Sequence, residues 1–150
     1  MATISVTINR DEVYEEVAKA TDYTGSKLLD TDQGARDRIR AVDENLNDLT
    51  RFWDESVSAM NERFKQILVS GTTISTTYTM VAEVSMSFDK ALTSSIELTL
   101  KSFFIMSIIG QWFKFANKGE AKDYFLQAED LLTAAERLIY SRKRPKLPTD

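Results

Sequence analysis

Apolar residues change their spacing several times along the chain, and each change marks an element. Ile4, Val6 and Ile8 alternate with Ser5 and Thr7, which predicts a short strand with one buried face. Asn9 then reads as a helix N-cap, with Glu12 three residues on forming a capping box. The helix it opens carries Val13, Val17 and Ala20 on one face with Tyr14 beside them, and Gly25 is a suitable residue to end it.

Segment 31–69 predicts one long helix capped by Thr31 or Asp32. Ala35, Ile39, Val42, Leu46, Leu49, Trp53, Val57, Met60, Phe64 and Ile67 recur at steps of three and four, with no proline among them. About 35 helical residues would span roughly 50 Å, more than the core of one small domain is thick. Such a helix either bends or has part of its stripe buried by another copy of the chain. From Ser70-Gly71 the period falls to two. Ile74, Tyr78, Met80, Ala82, Val84, Met86 and Phe88 take even positions, while threonine and serine fill most odd ones. The run is long for one strand and has no Asn-Gly or Gly-Gly turn, so it is either one extended strand or an irregular hairpin bent near Met80-Val81. A hydroxyl-bearing odd face is solvated or lies on another polar surface. Such a strand either pairs by its edge with another subunit or forms a self-contained hairpin over the helices.

Segment 95–142 is a helical hairpin. It rises through Leu100, Phe103, Phe104, Ile108 and Trp112, turns at Asn117-Lys118-Gly119, and returns through Tyr124, Ala128, Leu131 and Leu138. Asp89, Thr93 and Ser94 compete to cap its first helix. Positions 104, 108, 112 and 115 share a face at helical spacing, as core residues do, leaving Phe103 and Phe113 for burial against another element or subunit. Pro145 and Pro148 stop the last helix, and 143–150 is an extended basic tail. The resulting expectation is a single domain of mainly α class. It is an antiparallel helical bundle with one long helix, a short N-terminal strand and an extended β segment or hairpin. Its segments are 1–30, 31–69, 70–94, 95–142 and 143–150.

The length of 150 residues suits one domain with a real core. Net charge is −4, which argues against a global electrostatic grip on nucleic acid. Basic residues nevertheless cluster from Arg137 to Lys146 without an intervening acid. The chain has neither cysteine nor histidine, which removes disulfides, thiolate nucleophiles, Cys/His zinc sites and Ser-His-Asp triads. The N-terminus lacks the features of a secretory signal. The apolar run Phe103–Ile109 is interrupted by Ser107 and falls short of the roughly 20 residues a membrane span needs.

Adjacent acids such as Asp11/Glu12, Glu15/Glu16, Asp43/Glu44 and Asp54/Glu55 point apart on a helix and read as solvated faces. The glycines are scattered, so no phosphate-cradling loop is present. No catalytic residue, metal ligand or cofactor site is expected. Arg36, Arg38 and Arg40 at the start of the long helix are either surface ion-pair partners or a polar face turned to an anionic partner. Arg142, Lys143, Arg144 and Lys146 form either a solvated terminus or an anchor for an acidic surface.

The run SIELTLKSFFIMSIIGQWFKFANKGEAKDYFLQAEDLLTAAERLIYSRKRP, from Ser95 to Pro145, resembles small head–tail connector (head-completion, adaptor) proteins of tailed bacteriophages. Trp112-Phe113, Tyr124, Ala128, Leu131, Arg142 and Pro145 stand where that family's pattern places them. The resemblance implies a structural virion protein, assembled as a homo-oligomeric ring (commonly of twelve subunits in that family) at the portal vertex. Implied partners are the portal protein and tail or other neck proteins; DNA passes through the channel without sequence-specific binding. The implied location is the capsid–tail junction, with host cytoplasm during assembly and no membrane. On this reading the β segment Thr72–Phe88, including Tyr78, Met80 and Val81, docks a neighbouring component. The tail from Arg142 to Lys146 anchors to portal or neighbour, and Arg36, Arg38 and Arg40 belong to a polar or channel face. Another neck or tail-completion protein, or a non-viral helical interaction module, fits the same residues.

Overall fold

A computed structural model of the chain describes residues 2–27, 46–116 and 118–142. Its elements are β1 (Ala2–Asn9), α1 (Arg10–Lys27), α2 (Leu46–Arg63), β2 (Leu68–Ile74), β3 (Thr77–Val84), a 3-10 turn at Lys90–Leu92, α3 (Thr93–Ala116) and α4 (Lys118–Ile139). The expectation of a mainly helical bundle is wrong. The described residues form a mixed α/β fold in which four helices pack with a three-stranded antiparallel sheet of order β1-β3-β2. Local alternation marks the strands, but the pairing of β1 with β3 joins segments far apart in sequence, and no local pattern encodes that.

The sheet presents one face to the core. Ile4, Val6 and Ile8 of β1 lie opposite Ala82, Met80 and Tyr78 of β3, and all six are buried. β2 pairs with the other side of β3, with a register shift between Leu68 and Ser70. The hairpin therefore turns at Ser75-Thr76 rather than near Met80-Val81. Ser75 adopts the left-handed region at φ 59° without being glycine, which is why no Asn-Gly signal announces the turn. Arg10 N–H donates to the Thr76 carbonyl at 2.7 Å and ties the turn to the start of α1.

Helix α2 stops at Arg63 instead of continuing to Val69. Leu68 to Ile74 is rich in β-branched residues, and pairing with β3 wins over helical spacing there. The first part of the expected long helix lies outside the described residues. Helix α1 runs through Gly25 to Lys27, because one glycine costs a helix only about 1 kcal/mol and does not by itself end it. Asn9 caps α1 as expected, accepting from Glu12 N–H at 3.1 Å. The last helix begins at Lys118, so Lys118 and Gly119 belong to the helix rather than to the turn.

Helix α3 is the centre of the molecule and touches α1, α2, α4 and β1. Phe104 stacks on Trp53 of α2 at 4.4 Å and meets Tyr78 of β3 at 5.7 Å, so one ring joins three elements. Such pairs contribute about 0.5–1.5 kcal/mol each beyond the area they bury. Phe113 packs on Tyr124 of α4 at 5.4 Å. Phe103 and Phe113 are buried, as their off-face positions suggest, while Trp112 is half-buried at the margin of the core. By length and composition, the segment Lys90–Lys114 is apolar enough to cross a bilayer, contrary to the expectation. Here it lies among other elements, and several of the polar groups it carries bond to them. Glu97 accepts from Thr7, Lys101 pairs with Glu12, and Ser107 bonds Ser56.

Candidate interaction surface

Alternation along three paired strands places every second side chain on the sheet face that turns away from the core. In the observed register, Thr7, Thr79 and Thr72 lie abreast across the three strands, as do Ser5, Val81 and Ser70. Thr3 and Glu83 form the next row, and Thr77 with Ile74 closes the hairpin end. Thr3, Ser5, Thr7, Ser70, Thr72 and Ile74 are exposed, and Thr77, Thr79 and Val81 are half-buried by their neighbours. Among the described residues, Glu83 is the single charged group on this face and no helix covers it. Charged residues make up 28% of the whole chain, so the depletion on this face is pronounced.

Both sheet edges carry side-chain stoppers. At β1, the Thr7 N–H donates to the Glu97 carboxylate at 3.3 Å. At β2, Asn61 of α2 donates its amide to the Gly71 carbonyl at 3.0 Å, while its Oδ1 accepts from the Tyr78 hydroxyl at 2.6 Å. Trp53 Nε1 also donates to Thr73 Oγ1 at 3.0 Å. One backbone group on each edge is thus engaged by a side chain of the same chain. Within the chain the β segment forms a hairpin, with β1 added as a third strand.

A second feature sits where α4 ends. Ile67 before β2, Glu83 and Val84 at the end of β3, Ser85 and Met86 after it, and Ile139, Tyr140 and Arg142 line an open groove of about 400 Å³. Met86 is 78% exposed and Tyr140 49%, so the groove has two large apolar side chains at its rim, with Glu83 beside them. The sequence places Met86 on the core face by alternation. It escapes because β3 ends at Val84.

Tyr78 and Met80, expected to dock a partner, are fully buried and cannot do so; they point into the core from the centre of the sheet. Val81 does lie on the open face, and Arg142 is exposed at the groove. Lys143, Arg144, Lys146, Arg36, Arg38 and Arg40 lie outside the described residues. Residue periodicity missed Thr3, Ser5 and Thr7 as part of the surface. The signal was present, since the polar positions of both β1 and β3 are hydroxyl-bearing, a match expected of strands that share one face.

Chemically the site offers hydroxyls, a few apolar contacts and little charge. Among the described residues no group of three His, Cys, Asp or Glu could hold a metal ion. A separate polar cluster is internal: Ser56 and Ser107 lie 2.8 Å apart, and Gln111 Nε2 donates to Ser107 Oγ at 3.2 Å. Gln111 Oε1 is buried without a hydrogen-bond partner, and Gln111 lines an open cavity of about 450 Å³ with Arg51, Phe52, Glu55, Lys114 and Phe125. Burial pushes the Tyr78 phenol well above its ordinary range. It also raises that of Tyr14, which the hydrogen bond to Thr50 partly offsets. Both hydroxyls therefore act as neutral structural groups. No protein-family model, curated protein or solved structure matches the chain.

Proposed function

We propose that the chain is a structural assembly protein, a connector that forms a ring at the portal vertex of a tailed phage and joins capsid to tail. The observation that carries the assembly part is the open sheet face: hydroxyl-rich, depleted of charge and backed by a rigid aromatic core. Loss of charge at the centre of a surface patch is the compositional signal of a protein–protein contact. The viral part rests on the resemblance of Ser95–Pro145 to head–tail connectors.

On this reading the sheet face, rather than a strand edge, meets a neighbouring ring component, and the basic tail anchors to portal or neighbour. The acidic chain, at net charge −4, suits a channel wall past which DNA slides without specific binding. Portal and tail or neck proteins are the partners in this reading, and no cofactor is required. Native mass spectrometry of the full chain, alone and mixed with a portal protein, tests it. A closed oligomer that joins the portal is expected. A monomer at high concentration that ignores the portal overturns the proposal.

A further inference from the structure

Helix α4 is held along one side only. Among the described residues its extensive packing is against α3, through the buried row Ala121, Ala128 and Ala135. From one flank, Arg63 of α2 pairs with Glu129 and Glu136. Two turns of helix hold about 7.2 residues, so positions seven apart share a face. On the flank away from Glu129, the row next to the alanines is Tyr124, Leu131 and Leu138, all half-buried. Gln127 and Ala134 follow, and beyond them Asp123, Asp130 and Arg137, all three exposed. Apolar residues spaced by seven and edged by charges at the same spacing are the pattern of a helix with a second helix beside it. The surface continues onto α3. Phe113 packs on Tyr124 and Gly110 lies against the Phe125 ring, which sets the antiparallel register of the hairpin. In that register Ile105 stands level with Leu131, and Leu98, 66% exposed, with Leu138.

We infer that this face pairs with the same face of a second copy of the chain, α4 against α4, antiparallel about a two-fold axis. Charge selects that occupant. Asp130 and Arg137 are two turns apart, roughly 10 Å along the helix, too far to pair with each other. Neither makes an ion pair among the described residues. Asp130 also sits mid-helix, beyond the first turn where the dipole favours an acid. With the axis between Leu131 and Ala134, Asp130 of each copy faces Arg137 of the other. Leu131 then packs into the space over Ala134 of the second copy, large against small. Asp123 reaches the end of the second helix, beside Arg142. A parallel pair would set each charged row beside the alanine row and leave it unmatched. The contact goes beyond the connector reading, because a two-fold pairing differs from the rotation that closes a ring.

Charge reversal of the full chain tests the pairing. Both side chains are exposed and unpaired, so Asp130→Arg and Arg137→Asp should leave the urea midpoint nearly unchanged. Sedimentation equilibrium at low ionic strength should show self-association of the parent. Each reversal should raise the dissociation constant about tenfold or more, because two opposite-charge contacts become like-charge ones. Mixed in equal amounts, the two variants should recover association close to the parent's, since each supplies the charge the other lacks. Association untouched by either reversal would overturn the inference, as would failure to recover on mixing. A parent that stays monomeric at high concentration would overturn it too. The outcomes separate from those for the connector. A ring that joins the portal with either reversal in place removes the α4 pairing alone. A reversal-sensitive dimer that ignores the portal keeps the pairing and removes the connector.

Discussion

Tyr78 donates its phenolic hydrogen to Asn61 Oδ1 over 2.6 Å, a link from the central strand to α2 that passes directly over Gly71. Asn61 then donates to the Gly71 carbonyl, so the three residues lock helix, edge strand and central strand together. A Cβ at position 71 would collide with Asn61 Oδ1 and stand 2.8 Å from the Tyr78 hydroxyl. Gly71→Ala is therefore expected to destabilise the fold by about 2–3 kcal/mol, through overpacking and the loss of one or both bonds. Urea unfolding checks this, with Thr72→Ala on the opposite face as a control within about 0.5 kcal/mol of the parent.

The same tyrosine sets an alkaline limit. An unfolded chain loses its tyrosine protons at about pH 10. In the folded protein, burial raises the Tyr78 phenol well above that, and Tyr14 shifts in the same direction. The folded state then holds more protons, so stability is intact below about pH 10 and falls as pH rises beyond it. Tyr78→Phe should cost about 1 kcal/mol at neutral pH, leaving Asn61 Oδ1 without its donor. It should also flatten the alkaline decline. Urea midpoints from pH 8 to 11.5 decide the matter, and an equally steep decline in the variant would refute it.

How much of this was legible in advance differs from element to element. The alternation of Ile4, Val6 and Ile8 and the cap at Asn9 sufficed to place β1 and the start of α1, since both signals are local. The hairpin of α3 and α4 was legible for the same reason. Pairing was not: nothing near Ser5 indicates Val81 as its neighbour, because the partner is chosen by which faces must be buried together. That gap made a bundle out of a mixed fold. It also sent Tyr78 and Met80 to the surface, when alternation had already put them on the apolar side. The turn at Ser75 was missed because a serine carries the left-handed residue that glycine or asparagine usually supplies.

That serine gives a stabilising substitution. Ser75 holds φ at 59°, which costs a non-glycine residue roughly 1–2 kcal/mol. Ser75→Gly relieves the strain but widens the unfolded ensemble. The net expectation is a gain of about 0.5 kcal/mol, visible as a rise in the thermal midpoint. A fall would mean that the serine side chain supports the turn.

Ser56 and Ser107 share a buried hydrogen bond of 2.8 Å between α2 and α3, and Gln111 completes the group. Ser56→Ala and Ser107→Ala should each cost about 1 kcal/mol. The double variant should cost less than their sum, by about 0.5–1.5 kcal/mol, since removing both hydroxyls leaves neither unpaired. Strict additivity in a double-mutant cycle would show that the two hydroxyls are not coupled.

A charge on the open sheet face separates folding from assembly. Thr72 and Ser5 are exposed there, so Thr72→Lys and Ser5→Lys should leave unfolding free energy within about 0.5 kcal/mol of the parent. If the face is an interface, either lysine should lower the oligomer population sharply, because an unpaired charge would be buried on contact. Analytical ultracentrifugation of both variants reads this out, and unchanged oligomers would leave the face as plain solvated surface.

The position of β3 between β1 and β2 also fixes an order of events during synthesis. The β2–β3 hairpin closes over a two-residue turn and can form as soon as it clears the ribosome. β1 emerges first, yet it has no partner until the chain reaches Val84. At about 5–20 residues per second, that leaves the first strand waiting for roughly 4–16 s with Ile4, Val6 and Ile8 uncovered. The alternating serine and threonine of β1 lower its tendency to aggregate in that interval. The interval before β3 is made is thus the stage at which a chaperone would have most to protect.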